Sequence, residues 1–424
     1  MGLPLQSSGA MTRLEQIAAE LRAASLDGWL FYDFRMSDPL AYRILQMPEA
    51  GMSTRRWFCF VPAHGRPAAL VSAVEAHRLD ALAADRIVYR SYQEMVAALR
   101  TMLAGARRIA MDYSPAAAIP YVSRVDAGTI ELVRSLGPEI VIVSAADLIQ
   151  RFEASLTAAQ LESHHRAAAA LRAVVDETFA ELGRRVAAGD TVGELAAQEF
   201  VMARIAAHGM VTREPPIVAV NEHSADPHFA PGIAHDRALR RDDFVLLDLW
   251  AKEPGADSIY ADFTWVAFGG ATVPEEHARI FAIVARARDA AVELVQGRVA
   301  EGVPLSGRDA DRAARAVIEA AGFGDNFVHR TGHSIGREVH GTGANLDSLE
   351  TLDDRMLIEN TCFSVEPGIY LPGRFGVRSE LDMTIEGGRA RVSGEPVQRE
   401  VTALLAREPR VVPPSGERRT SSLK

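Results

Sequence analysis

Two cysteines in 424 residues, Cys59 and Cys362, are too few and too far apart for a disulfide framework or a cysteine-based zinc site. No run of about 18 apolar residues is available to cross a bilayer, and the first residues hold no apolar core of the signal-peptide kind. Positive charge is also short. The formal net charge of -10 argues against a partner held mainly through phosphates, so neither nucleic acid nor a membrane is an expected partner. Glycines such as Gly105 and Gly128 stand alone, and no glycine-rich loop cradles a phosphate. What remains is an ordinary globular composition, 48% hydrophobic and 24% charged, in a chain long enough for two or three domains. The expected compartment is the cytoplasm. Residues 1–10 and the Pro/Ser/Arg-rich tail from about Glu408 are expected to be disordered.

From residue 11 to 150, helical stripes such as Leu14, Ile17, Ala18 and Leu21 alternate with short apolar runs. Gly28-Trp29-Leu30-Phe31-Tyr32, Trp57-Phe58-Cys59-Phe60-Val61 and Arg108-Ile109-Ala110-Met111 read as strands. This is an α/β module with a mixed sheet and no chemical motif, suited to packing, dimer contact or shaping the mouth of a site. A second domain spans 157–407. Thr157 with Gln160, and Thr191 with Glu194, read as capping boxes opening two helices. A strand at Ile217-Val218-Ala219-Val220 and a hairpin follow. Two helices at about 275–299 and 307–321, a loop and a second hairpin then repeat that order. The pattern is an architectural twofold repeat, each half ending in a pair of acids.

Those acids are the informative residues. Asp248 ends Phe244-Val245-Leu246-Leu247, and Asp262 lies fourteen residues on, in Ile259-Tyr260-Ala261-Asp262. A hairpin folded about Pro254-Gly255 would set them opposite each other. Glu366 and Glu380 are again fourteen apart, centred on Pro372-Gly373. Facing like charges destabilise a sheet, so such pairs need a proton, a cation or access to water. Two divalent cations would neutralise four carboxylates. Between the pairs, His329, His333 and His340 fall within twelve residues broken by Gly332, Gly336 and Gly341, a loop suited to presenting imidazoles to a cavity.

These residues resemble the pita-bread metallopeptidases that include prolidase, aminopeptidase P, methionine aminopeptidase and creatinase. The resemblance rests on the Asp248/Asp262 pair, on His329-Arg330-Thr331-Gly332-His333 with His340 seven residues later, on Val365-Glu366-Pro367-Gly368 and on Val377-Arg378-Ser379-Glu380. Residues 11–150 are similar to the creatinase-type N-terminal domain of the proline-specific branch. The resemblance implies that Asp248 holds one metal, that His333 and Glu366 hold the other, and that Asp262 and Glu380 bridge them. The oxygen-rich donor set suits manganese, with cobalt or zinc as alternatives. It further implies a metal-activated hydroxide attacking the peptide bond before proline, with Glu366 as proton shuttle and His228 and His340 contacting substrate. Expected partners are dipeptides or short peptides with proline second, and a second copy of the chain as homodimer.

Departures from the family pattern fall in the pocket. Asp248-Leu249-Trp250 replaces Asp-x-Gly, Thr264-Trp265-Val266 replaces Thr-Arg-Thr, and His228-Phe229 lacks the phenol of His-Tyr. Trp265 and Arg378 are therefore expected to touch substrate; for Arg378, pairing with an acid is the other reading. Two further functions stay open. One is a small-molecule hydrolase or lyase on the same fold, like ectoine hydrolase or a sulfoniopropionate lyase; creatinase itself lacks the metal ligands. The other is a non-catalytic binding protein, which predicts eroded ligands.

Overall fold

The computed structural model describes residues 11–47 and 53–406. The disorder expected of residues 1–10 and of the tail from Glu408 concerns residues outside that range. In the first third, helices α1 (Arg13–Ala23), α2 (Pro39–Ile44), α3 (Tyr92–Met102), α4 (Ala127–Ser135) and α5 (Ala146–Ile149) accompany six strands. These are β1 (Gly28–Asp33), β2 (Trp57–Pro62), β3 (Ala68–Ser72), β4 (Asp85–Tyr89), β5 (Arg108–Met111) and β6 (Val141–Ser144). They form one sheet in the order β4-β3-β2-β1-β5-β6. It is mixed, as expected, because β1 runs antiparallel to β2 and parallel to β5. Strand alternation explains its two cores: Trp29, Phe31, Cys59 and Val61 fill one face, while Leu30, Tyr32, Phe58 and Phe60 fill the other.

The rest of the chain repeats a helix pair, a short strand and a hairpin. Its first half holds α6 (Ala158–Ala188), β7 (Val192–Gly193), α7 (Glu194–Ala207), β8 (Ile217–Val220), β9 (Ala238–Leu239), β10 (Phe244–Ala251) and β11 (Ala261–Phe268). The second half opens with α8 (Glu275–Glu301), α9 (Gly307–Ala320) and β12 (Ser334–Ile335). It continues through β13 (Thr361–Val365), β14 (Gly368–Leu371), β15 (Phe375–Arg378), β16 (Leu381–Glu386), β17 (Arg389–Ser393) and β18 (Thr402–Ala403). Two four-stranded sheets result, β18-β11-β10-β8 and β12-β13-β16-β17. No described helix is long and apolar enough to cross a membrane.

Thr157 caps α6 as expected: its side chain accepts from Gln160 N while the Gln160 side chain accepts from Thr157 N. The helix stops at Gly189, whose φ of 79° suits glycine. The second capping box does not form. α7 starts at Glu194 behind Gly193, because the Glu194 carboxylate is taken by Val220 N at 2.7 Å, Arg237 N at 3.0 Å and His223 Nδ1 at 2.8 Å. Three long-range donors outweigh the single local N–H that a capping box would satisfy.

Alternation also positions the acids. The odd residues of the first hairpin, Val245, Leu247, Leu249, Phe263 and Ala267, pack on α6 and α7, and each fully buried large side chain contributes about 1.5–3 kcal/mol. The even residues Phe244, Leu246, Val266 and Phe268 pack on α8 and α9. Asp248, Asp262 and Thr264 continue that even face toward the second hairpin.

Candidate metal centre

In the first hairpin Asp248 pairs with Thr264, and Asp262 with Trp250. The acids are therefore diagonal neighbours on one face, not directly opposite. The loop Lys252–Tyr260 centres the hairpin on Ala256, one residue past Gly255, and that shifts the register by two. A diagonal offset widens the carboxylate separation and lowers the repulsion the sheet must carry.

The second hairpin keeps the expected register across a break. Val365 pairs with Leu381 in β13–β16, and Gly368 with Arg378 in β14–β15, so Glu366 and Glu380 face each other in the gap. Pro367 has no N–H to continue the ladder. The freed groups turn to other elements: Glu366 N donates to Thr331 O at 2.6 Å, and Glu380 N to Thr264 O at 3.2 Å. The interruption thus stitches this hairpin to the histidine loop on one side and to β11 on the other.

The histidine loop is fixed from behind by α9. Buried Asp311 accepts from Thr331 N at 2.9 Å and from Thr331 Oγ1 at 2.6 Å. A Cβ on Gly332 would come within 2.0 Å of Ser364 O, so the loop lies against β13 only because this residue has no side chain. His333 N donates to Ser364 Oγ at 3.0 Å, and Ser364 Oγ donates to Glu366 Oε1 at 3.1 Å. His333 Nδ1 faces Ser334 O at 3.1 Å and must carry the proton there. Its Nε2 lone pair then points among the acids, 3.4 Å from Glu366 Oε1 and 3.6 Å from Asp262 Oδ2.

Donor atoms of Asp262, His333 and Glu380 lie within 4.8 Å of one another, all buried. Asp262 Oδ1 has no hydrogen-bond partner. Burial and then the neighbouring carboxylates push Asp262 and Glu380 well above the usual carboxylate range. Asp248 is also raised by burial, against the pull of Arg378. Glu366 ends below its ordinary value: burial would raise it, but His333, His329, Arg378 and Arg330 together outweigh that. Oxygen-rich, buried and partly unpartnered, this donor set fits hard or borderline divalent cations.

Around Glu366 and His333 lies a cavity of about 160 Å³, also lined by His228, His340, Arg330 and Tyr121. The His340 ring stands edge-on to His333, 4.4 Å between centroids. The proximity of His333, then burial, lowers the pKa of His340 to about 3, which favours the neutral imidazole. Arg378 lines the cavity but is committed: it pairs with Asp248, donates to Thr264 Oγ1 at 2.8 Å, to Pro227 O at 3.1 Å and to the Tyr370 hydroxyl at 3.2 Å. The pairing with an acid is the reading the geometry favours. Trp265 is not brought to the site. It lies on the odd face of β11, with the Arg172 guanidinium 3.7 Å over its ring, so the substrate contact expected of it is withdrawn. Phe229 stacks on His223 at 4.4 Å, while the Tyr370 hydroxyl lies 2.7 Å from His329 Nε2. Thr264, Tyr370 and Tyr121 escaped the sequence reading, because nothing local distinguishes them from other strand and loop residues.

The model of metallopeptidase family M24 matches residues 162–386. A probable dipeptidase PepE of Mycobacterium tuberculosis is 31% identical over 270 residues, 63% of this chain and 65% of that protein. A Xaa-Pro dipeptidase of Lactobacillus helveticus is 34% identical over 164 residues, 39% of this chain and 40% of the relative. The chain thus spans between two-fifths and two-thirds of the length of these curated relatives. The crystal structure of dipeptidase PepE from Mycobacterium ulcerans superposes with a TM-score of 0.70 at 24% identity, covering 92% of this chain and 97% of that one, and shows the same fold. With more than half of its residues matched, and with the α/β N-terminal layer and twofold catalytic layer that the sequence implied, this chain belongs to metallopeptidase family M24.

Proposed function

We propose that the chain is a metal-dependent hydrolase that cleaves the peptide bond before proline in dipeptides or short peptides. The observation that carries the reading is the convergence of Asp262, His333 and Glu380 on one buried point, with an unpartnered carboxylate oxygen among them. Asp262 and Glu380 would be shared by two cations, with His333 and Glu366 serving one and Asp248 the other. Bound there, the cations supply Lewis acidity that polarises a carbonyl and acidifies a water. Glu366, kept ionised beside His333, accepts the proton of the attacking water and returns it to the leaving nitrogen. Neutral His340 donates a hydrogen bond to the oxygen on which charge develops, and His228 contacts the substrate across the cavity. Arg378 holds Asp248 in place rather than binding substrate. The names of the dipeptidase and Xaa-Pro dipeptidase relatives support the substrate class. Manganese as the ion, a homodimer, a cytoplasmic location, and a division into domains at 11–150 and 157–407 belong to the same proposal.

The test is hydrolysis of Ala-Pro, Ala-Ala and a longer Xaa-Pro peptide by protein stripped of metal and reloaded with manganese, cobalt or zinc. Metal-dependent release from Ala-Pro but not Ala-Ala is expected. No release from any peptide, with two ions bound, would move the assignment to a small-molecule hydrolase or lyase.

A further inference from the structure

The cavity is not built by the second part of the chain alone. Tyr121 reaches it from the loop between β5 and α4, and the route is costly. Ala116 and Ala117 both adopt left-handed backbone, φ 54° and 55°, at about 1–2 kcal/mol each for a residue with a Cβ. Such strain persists only where the surroundings enforce it. Here Ile119 and Val122 are buried on either side of Tyr121, and Ile119 N donates to Ser114 Oγ at 2.8 Å. Leu352 N donates to Ala118 O at 3.0 Å, tying this loop to the segment that carries Glu350.

At its tip the Tyr121 hydroxyl accepts from Arg330 Nη1, and the guanidinium lies 5.4 Å from the ring centroid. Arg330 is itself fixed: its backbone N donates to Glu350 Oε1 at 2.8 Å. Tyr121, Arg330 and Glu350 are thus one wall, linked by hydrogen bonds, of the cavity that holds Glu366, His333 and His340. At about 160 Å³ this partly open space is under the roughly 300–1,000 Å³ usual for small-molecule pockets. A chain extending on the Tyr121 side would run into that wall.

We infer that Tyr121 sets substrate length: its ring, pinned by Arg330, closes the cavity so that the site takes dipeptides and rejects longer peptides with the same scissile bond. The inference rests on the peptidase reading above. It assigns the N-terminal layer a part in specificity within its own chain.

The experiment compares kcat/KM for Ala-Pro and Ala-Pro-Ala in the manganese-loaded full chain, as wild type, Y121F and Y121A. Wild type is expected to favour Ala-Pro. Y121A should raise the tripeptide-to-dipeptide ratio by at least about tenfold, the effect of removing about 1.4 kcal/mol of steric penalty. Y121F keeps the ring and should hold the ratio within about twofold of wild type. If Y121A does not fold, Y121L reads the same ratio. An unmoved ratio in the smaller variants with two ions bound, or a wild type that cleaves both peptides equally, overturns the inference and leaves the peptidase reading standing. A wild type that cleaves neither peptide sinks the peptidase reading, and the inference falls with it.

Discussion

Thr264→Val is the most informative single change at the centre, because it removes one hydroxyl and almost no volume. Thr264 Oγ1 donates to Glu380 Oε2 at 2.7 Å and accepts from Arg378 Nε at 2.8 Å. It therefore links the Glu380 carboxylate of the second hairpin to the guanidinium that holds Asp248. Thr264 is fully buried, and both partners are nearly so, leaving little water to replace the lost bonds. Each orphaned group costs about 1–3 kcal/mol, so the stripped protein should melt earlier. Loss of an outer-shell partner typically weakens metal binding by about 10–100-fold, roughly 1.4–2.7 kcal/mol. Titration of the stripped protein with manganese, followed by calorimetry, measures that loss directly. Thr264→Ser keeps the hydroxyl and should restore affinity, separating the hydrogen bonds from packing. Affinity unchanged within about twofold in Thr264→Val, or an equal loss in Thr264→Ser, would refute the reasoning.

Other outcomes follow from the same geometry. Asp262→Ala or Glu380→Ala should abolish turnover and release metal, read by elemental analysis after dialysis; either variant keeping two ions and near wild-type rates would break the ligand assignment. His340→Ala should lower kcat by about 100-fold, as for an oxyanion donor, with metal content intact; loss of metal instead would make His340 a ligand. Far from the centre, burial raises the pKa of Asp38, which caps α2, to about 6. A carboxyl raised in the fold adds full stability below its unfolded value near 3.8 and loses it as pH rises through 6. Asp38→Asn keeps the cap acceptor and cannot ionise. Its advantage over wild type in thermal melts should grow between pH 4 and 6 and then level off, and a flat difference would show that Asp38 does not titrate there.

Much of the site was legible because its signals are local. Apolar runs of strand length, turns at Pro-Gly, acids at equal spacing and histidines among glycines each depend on a few neighbouring residues. In the second hairpin even the facing of Glu366 and Glu380 could be read, since a short turn fixes register. In the first hairpin the longer loop Lys252–Tyr260 let the register settle two residues away, and only packing against both helix layers decided it. The Thr191 capping box failed for a related reason, its Glu194 captured by donors from three other segments.

The amino-acid sequence by itself determined the two hairpins, the helix pairs, the order of the acids and the chemistry of the donor set. Tertiary structure alone decided that Arg378 would pair with Asp248 and that Asp311 would hold the histidine loop; the face of Trp265 follows from strand alternation once Asp262 faces the site. It also decided that Tyr121, more than 200 residues from Arg330 in sequence, would meet it at the cavity wall. Contacts between distant segments depend on how whole layers dock, and no local pattern of residue types encodes that.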